Sequence, residues 1–310
     1  MHIIDLHCDA LLKLQEDKSR DFFSSELEVN SSRLAEGKVK LQFFAVFLEP
    51  EYTPEEKFAR AMDQIDLFYE KILKADSRIR HITSWSQVND LKQNETGALL
   101  TLEGADAFGN DLGKLRTFYR LGVMSIGLTW NNANLCADGI GESRGAGLTD
   151  FGREVVALNE EHKVLTDVTH LSVKGFWDVL KIASYPIATH SNAKSICGHR
   201  RNLDDEQLKA LFKAGGIAGL VYNPPFIGEN EKGSLISELL KHAEHLIKLG
   251  GENQIALGSD FDGIPTHVNG LSHAGEHPRF ASALKDKFGE ETARKITSGN
   301  AAAFFHKIDR

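Results

Sequence analysis

Cysteine is scarce in this 310-residue chain. Only Cys8, Cys136 and Cys197 occur, scattered and never as a CxxC pair. That pattern argues against a disulfide framework and for a reducing compartment. Long apolar runs are missing too. No stretch reaches the roughly 18 residues that a bilayer span requires, and Asp5, His7 and Asp9 interrupt what would be the hydrophobic region of a signal peptide. Basic runs are also lacking: 36 Lys and Arg stand against 44 Asp and Glu, a net charge of −8, and nothing resembles a nucleic-acid footprint. A cytoplasmic globular protein is expected, with neither nucleic acid nor membrane as partner and a homodimer left open. There is no Gly-x-Ser-x-Gly elbow and no HExxH, and no cysteine has an evident base partner. Covalent nucleophilic catalysis is therefore disfavoured.

What is present is an ordinary core-forming composition, 41% hydrophobic and 26% charged. Eight short apolar runs can be traced at 2–6, 39–48, 98–102, 123–129, 164–169, 186–189, 217–222 and 255–258. Helix-like segments lie between them, clearest at 54–75, 111–121, 151–162, 173–183, 204–214 and 234–249. Asp204-Asp205 ahead of Leu208, Leu211 and Phe212 reads as an acidic helix start, and Gly215-Gly216 ends that helix. Strands alternating with helices imply right-handed βαβ units. Eight such units in one chain predict a single-domain α/β fold over 1–310, a (β/α)8 TIM barrel. The crossover 49–97 is unusually long and has room for two helices. An open doubly wound sheet is the alternative, but it would spread the polar strand ends along an edge instead of around one mouth.

Those strand ends carry metal-seeking side chains. The first run feeds into His7-Cys8-Asp9, and residues two apart on an extended strand point the same way, so one ion can be gripped by both. Later runs deliver Glu103, His170 and His190. Imidazole and carboxylate suit zinc, and also manganese or iron. Each residue has a plainer reading: a structural His–Asp pair, a cap on Gly104-Ala105-Asp106, a hydrogen-bonded histidine. The same ligand type at the same end of four strands favours metal. Asp260, closing the eighth run, is placed to act as general base and acid, or else serves a turn before Gly263; Asp262-Gly263 fits a turn better. Arg200-Arg201-Asn202 follows His190 and offers a guanidinium for a carboxylate, or a surface ion pair. His242 and His245 read as a solvated helix face, and His267, His273 and His277 as part of a surface loop.

In this order the motifs resemble the membrane (renal) dipeptidase family of metallopeptidases. The matching stretches are Asp5-Leu6-His7-Cys8-Asp9, Leu102-Glu103-Gly104-Ala105, Asp167-Val168-Thr169-His170-Leu171-Ser172, Thr189-His190-Ser191-Asn192, Arg200-Arg201-Asn202 and Gly258-Ser259-Asp260-Phe261-Asp262-Gly263. The resemblance runs on to Ser298-Gly299-Asn300. It implies a barrel with two Zn2+ ions, or Mn2+ or another divalent ion, that activate a shared water. His7 and Asp9 would hold one ion, His170 and His190 the other, and Glu103 would bridge both. Asp260 would be the catalytic proton carrier and Arg201 would receive the C-terminal carboxylate of a small dipeptide, with a D-residue admitted at that position. Trp130, Asn131 and Tyr222 complete the expected substrate-binding set.

One departure stands out. Where the family often has a carbonyl-polarising histidine, Gly127-Leu128-Thr129-Trp130-Asn131-Asn132 places Trp130, whose indole N–H donates one hydrogen bond but cannot become cationic. Two other readings are weighed. A different amidohydrolase, acting on a lactam, cyclic amide or ester, would usually open with His-x-His and bridge its metals with a lysine. Here Asp9 replaces the second histidine and no lysine ends the fourth run. A non-catalytic barrel with structural metal is opposed by the intact set that includes Asp260.

Overall fold

A computed structural model describes residues 1–228 and 235–309. Among these residues nine parallel strands form: β1 (Ile3–Asp5), β2 (Val39–Phe47), β3 (Ile79–His81), β4 (Thr96–Glu103), β5 (Val123–Gly127), β6 (Leu165–Asp167), β7 (Pro186–Ala188), β8 (Ile217–Leu220) and β9 (Ile255–Leu257). They run in the order β2-β1-β9-β8-β7-β6-β5-β4, and pairing of β2 with β4 closes the ring. Eight strands thus form the expected (β/α)8 barrel, and each contains residues of one of the eight apolar runs.

The ninth strand is the difference. β3 lies in the long 49–97 crossover and pairs only with the start of β4, from Ile79 opposite Thr96 to His81 opposite Ala98. Beyond that point β4 pairs with β5, beginning at Leu100 opposite Val123. The sequence Ile-Arg-His carries no apolar run, so its extended form comes from the free edge of β4. The crossover also holds helix Pro54–Leu67, which continues as a wider turn over Phe68–Leu73, and the short helix Gln87–Asp90.

Period-two alternation sorts the strand residues into two layers. Leu41 and Phe43 of β2 and Leu99 of β4 point into the barrel, while Phe44, Val46, Leu100 and Leu102 face the surrounding helices. The same alternation turns Glu103 inward at the end of β4. The C-terminal helix Asn300–Asp309 closes the lower end: Phe305 stacks on Phe43 at 5.8 Å and on Trp85 at 4.8 Å. Truncating such a buried aromatic to alanine costs about 3–5 kcal/mol.

The helices begin where their caps dictate. Asp204 and Gln207 form a reciprocal capping box, and the helix Asp205–Lys213 ends before Gly215, whose φ of 78° suits glycine. The segment expected at 234–249 is a helix over Ile236–Lys248; residue 234 lies outside the described residues, as does residue 310 of the expected 1–310 domain. Two histidine readings are corrected. His242 is fully buried, accepting from the Ala193 N–H at 3.2 Å and lying 2.9 Å from the Ile227 carbonyl oxygen. His277 is equally buried, against Tyr222 and Phe261. Among the described residues no helix is long and apolar enough to cross a membrane.

Candidate active site

All eight strands of the ring end at the same mouth, and five of those ends supply the candidate metal-binding and proton-carrying residues. After β1 the chain passes through His7 and Asp9, while Cys8 between them turns into the outer core. Asp9 precedes helix Ala10–Glu16 in the capping position but makes no side-chain cap bond. A carboxylate that would ordinarily bond the first-turn amides is directed to the mouth instead, with Oδ2 3.2 Å from His7 Nε2. Glu103 faces both sides of the site: Oε2 lies 3.5 Å from His7 Nε2, and Oε1 lies 2.9 Å from His170 Nε2 and 3.7 Å from His190 Nε2. Asp260 Oδ1 approaches His7 Nε2 at 3.8 Å.

Backbone strain holds two of these groups. His170 and Asp260 adopt φ of 69° and 68°, the left-handed region that costs a non-glycine residue about 1–2 kcal/mol. Gly263 backs the site so closely that a Cβ there would overlap Asp9 Oδ2 and come within 2.8 Å of Asp260 Oδ1. Asp262 serves as an anchor: its carboxylate accepts from the N–H groups of Glu28 at 2.8 Å and Val29 at 2.9 Å, tying the 17–30 segment to the mouth.

Two histidines are oriented by hydrogen-bond partners, His190 by Thr189 and His170 by Asn131. Thr189 donates its hydroxyl to Asp167 Oδ2 at 2.5 Å, so its oxygen is left to accept from His190 Nδ1 at 2.9 Å. His170 Nδ1 lies 2.9 Å from the Asn131 amide oxygen. Both rings then carry their proton on Nδ1 and turn a bare Nε2 to the site, the form that ligates metal. The adjacency Thr189-His190 was visible in the sequence, but nothing there showed which way the hydroxyl pointed.

Three acceptors, two Nε2 lone pairs and Glu103 Oε1, thus converge without a proton between them. Across the site, His7 Nε2 and Asp9 Oδ1 are buried without a hydrogen-bond partner. Burial alone would raise the Glu103 carboxyl, but the neighbouring His7 outweighs it and holds it well below the usual range. Burial, with Arg201 nearby, brings His170 down to about 4. Burial and the adjacent Asp9 and Glu103 push Asp260 well above the carboxylate range. Such a set is incomplete without cations. His7, Glu103 and His190 offer ligand atoms all within 4.8 Å of one another, as do His7, Asp9 and Asp260. The residues fit a divalent metal centre.

The centre opens into a cavity of about 390 Å³. Trp130 and Asn131 line it, Trp130 meeting Phe47 edge-on at 5.4 Å. Trp130 has no hydrogen-bond partner for its indole N–H among the described residues. Arg201 lines the cavity too, 5% exposed, with Nε unpartnered and one guanidinium nitrogen 3.4 Å from the His190 carbonyl. Arg200 is exposed, which separates the two arginines. Tyr222 departs from expectation. It does not line the cavity but is fully buried behind it, with its hydroxyl 3.3 Å from His277 Nδ1, because the aromatic ring is taken up by packing on Phe261 and Phe280. A second buried group went unnoticed in the sequence: Asp5 accepts from Ser259 Oγ at 2.6 Å and from the Ser259 N–H at 2.8 Å, bracing β1 against the turn that carries Asp260.

Comparison with known proteins agrees with this geometry. The family model described as membrane dipeptidase (peptidase family M19) matches residues 1–310. An uncharacterised protein from the pqqA 5′ region of Klebsiella pneumoniae is 33% identical over 233 residues, 72% of this chain and 86% of that protein. A metallopeptidase structure from Rhodobacter sphaeroides, liganded with a phosphinate mimic of the dipeptide L-Ala-D-Ala, superposes with a TM-score of 0.92 at 26% identity, covering 99% of both chains. A dipeptidase structure of family M19 gives a TM-score of 0.91 at 27% identity, covering 99% of this chain and 98% of the other.

Proposed function

The chain belongs to the membrane dipeptidase family, peptidase family M19, and from that membership we propose that it hydrolyses the amide bond of free dipeptides at a pair of zinc ions in the barrel mouth. Membership makes it a metallopeptidase enzyme, and zinc is the family's usual metal. The observation that carries the two-ion reading is Glu103, whose two oxygens face separate imidazole sets, His7 on one side and His170 with His190 on the other.

His7 and Asp9 would hold one ion, His170 and His190 the other, with Glu103 shared. Ions bound there supply Lewis acidity and lower the pKa of water toward neutrality. The rest falls to side chains. Arg201, a buried cation with an unpartnered Nε, receives the substrate's C-terminal carboxylate, as a guanidinium fork is shaped to do. The indole N–H of Trp130 would donate to the scissile carbonyl, and cavity walls such as Phe47 would restrict water around it. Asp260 takes the proton from the attacking water and passes it to the departing amine. The L-Ala-D-Ala mimic in the Rhodobacter structure supports a D-residue at the C-terminal position.

The test is a panel of dipeptides with free termini, with L- and D-residues at the C-terminal position, incubated with protein loaded with Zn2+ or Mn2+. Release of free amino acids from dipeptides but not from N-acyl amides, lactams or esters is expected. Hydrolysis confined to lactams or esters would sink the proposal in favour of a different amidohydrolase.

A further inference from the structure

The active cavity has two charged poles, and only one is used so far. Around the ring the strands succeed one another as β2, β4, β5, β6, β7, so β2 and β7 stand four steps apart among eight, directly across the mouth. Arg201 is held at the β7 end through the His190 carbonyl. Glu49, two residues beyond β2, lines the opposite wall.

Glu49 is half-buried at this wall. Its carboxylate has no hydrogen-bond or ion-pair partner among the described residues. Burial, with Glu51 and Glu16 nearby, pushes its carboxyl up from the ordinary value. Lys13, the cation that lines this wall, is engaged by Glu16 at 3.0 Å. Below Glu49 the wall is apolar: Leu12, Phe47 and Trp130 line the same cavity, and Phe47 and Trp130 are in edge contact. An apolar wall topped by a carboxylate that has no partner among the described residues suits a side chain with a long aliphatic stem and a cationic head.

We propose that Glu49 selects dipeptides whose N-terminal residue is lysine, arginine or another residue with a long cationic side chain. This deepens the dipeptidase reading and rests on it. With the C-terminal carboxylate at Arg201 and the scissile amide over the metal ligands, the N-terminal residue extends toward β2. Its stem lies on Phe47 and Trp130, and its head pairs with Glu49. Water at this partly open rim screens the pair, so the gain is modest, roughly five- to tenfold in kcat/KM.

The deciding measurement is the ratio of kcat/KM for Arg-Ala and Lys-Ala to that for Leu-Ala, in the wild-type protein, Glu49→Gln and Glu49→Lys, with thermal melts confirming that each variant folds. The wild-type ratio should exceed one by roughly five- to tenfold, collapse in Glu49→Gln, and give way in Glu49→Lys to a preference for Glu-Ala. A wild-type ratio near one, or a preference that survives Glu49→Gln, overturns the assignment. So does a parallel loss on all dipeptides, which would put Glu49 at the α-ammonium common to every substrate. Failure to cleave any dipeptide would remove the dipeptidase reading itself, a result distinct from cleavage without basic preference.

Discussion

The Nε2 atoms of His170 and His190 face each other at 3.0 Å, although Asn131 and Thr189 have already drawn each ring's proton to its far side. Two lone pairs at hydrogen-bond distance, with Glu103 Oε1 2.9 Å from one of them, repel one another in a buried setting where the effective dielectric is low. The backbone nevertheless holds them there, in part through the left-handed residue at His170. Charge compensation by a cation would make the arrangement favourable.

Removing metal should therefore cost stability as well as activity. Binding that favours the native state stabilises it by about 4 kcal/mol when free metal is at 1,000 times Kd. Dialysis against a chelator is expected to lower the melting temperature and abolish hydrolysis, and Zn2+ or Mn2+ should restore both. An unchanged melting curve after verified metal removal would contradict a cation-dependent site.

Thr189→Val keeps the shape beside His190 but removes the oxygen that accepts from Nδ1. Loss of such an orienting partner typically weakens metal binding 10- to 100-fold. Competition with a chelating dye should register that drop in Zn2+ affinity, and nitrogen NMR of the apo protein should show His190 losing its single tautomer. Wild-type affinity in a folded variant would reduce Thr189 to packing.

Gly263→Ala tests how closely the turn approaches the ligands. The added methyl would displace Asp9 or Asp260 while leaving the barrel's core residues in place. Metal stoichiometry and kcat should both fall, with the far-ultraviolet dichroism unchanged; full metal content with wild-type kcat would show that the turn can move aside freely.

The barrel was legible because its strands are buried on both sides and read as short apolar runs, and the convergence of His7, Asp9, Glu103, His170 and His190 because the barrel strands all end at one mouth. What escaped depended on contacts remote in sequence. β3 exists only because β4 offers a free edge near Thr96. His242 and His277 look like surface residues until their helices pack against Ile227 and Tyr222. Tyr222 closes an apolar run at the right strand end, yet the neighbouring phenylalanines draw it away from the cavity. Asp5 hides in the motif two residues before His7, and only closure of β1 onto β9 brings it to Ser259.

Far from the mouth, Asp76 gives a pH test of the lower end of the barrel. Hydrogen bonds from Arg78, with a further one from Ser31 at 2.5 Å, hold its carboxyl well below the ordinary value. A depressed carboxyl stabilises the fold above the unfolded-state pKa of about 4, and that contribution is lost as pH falls through the lower folded value. Asp76→Asn should cost about 1–2 kcal/mol at pH 7. Urea midpoints should show that gap intact at pH 5 and narrowing below pH 4; a gap that widens on acidification would reverse the assignment.

Asp260 and Arg201 line the same cavity, but they should fail in different ways. Asp260→Asn would remove the proposed proton carrier while His7, Asp9 and Glu103 remain, so kcat should fall by about 10²- to 10⁴-fold with metal content unchanged. Arg201→Ala would remove the proposed charge-assisted contact to the substrate carboxylate, a type of contact worth about 1.5–3 kcal/mol. That corresponds to a rise of roughly 10- to 100-fold in KM, with kcat much less affected because the contact is made in ground and transition states alike. The two variants assayed side by side on one dipeptide give a kcat-against-KM split. If Asp260→Asn raised only KM, or Arg201→Ala lowered only kcat, the roles assigned to the two residues would have to be exchanged or abandoned.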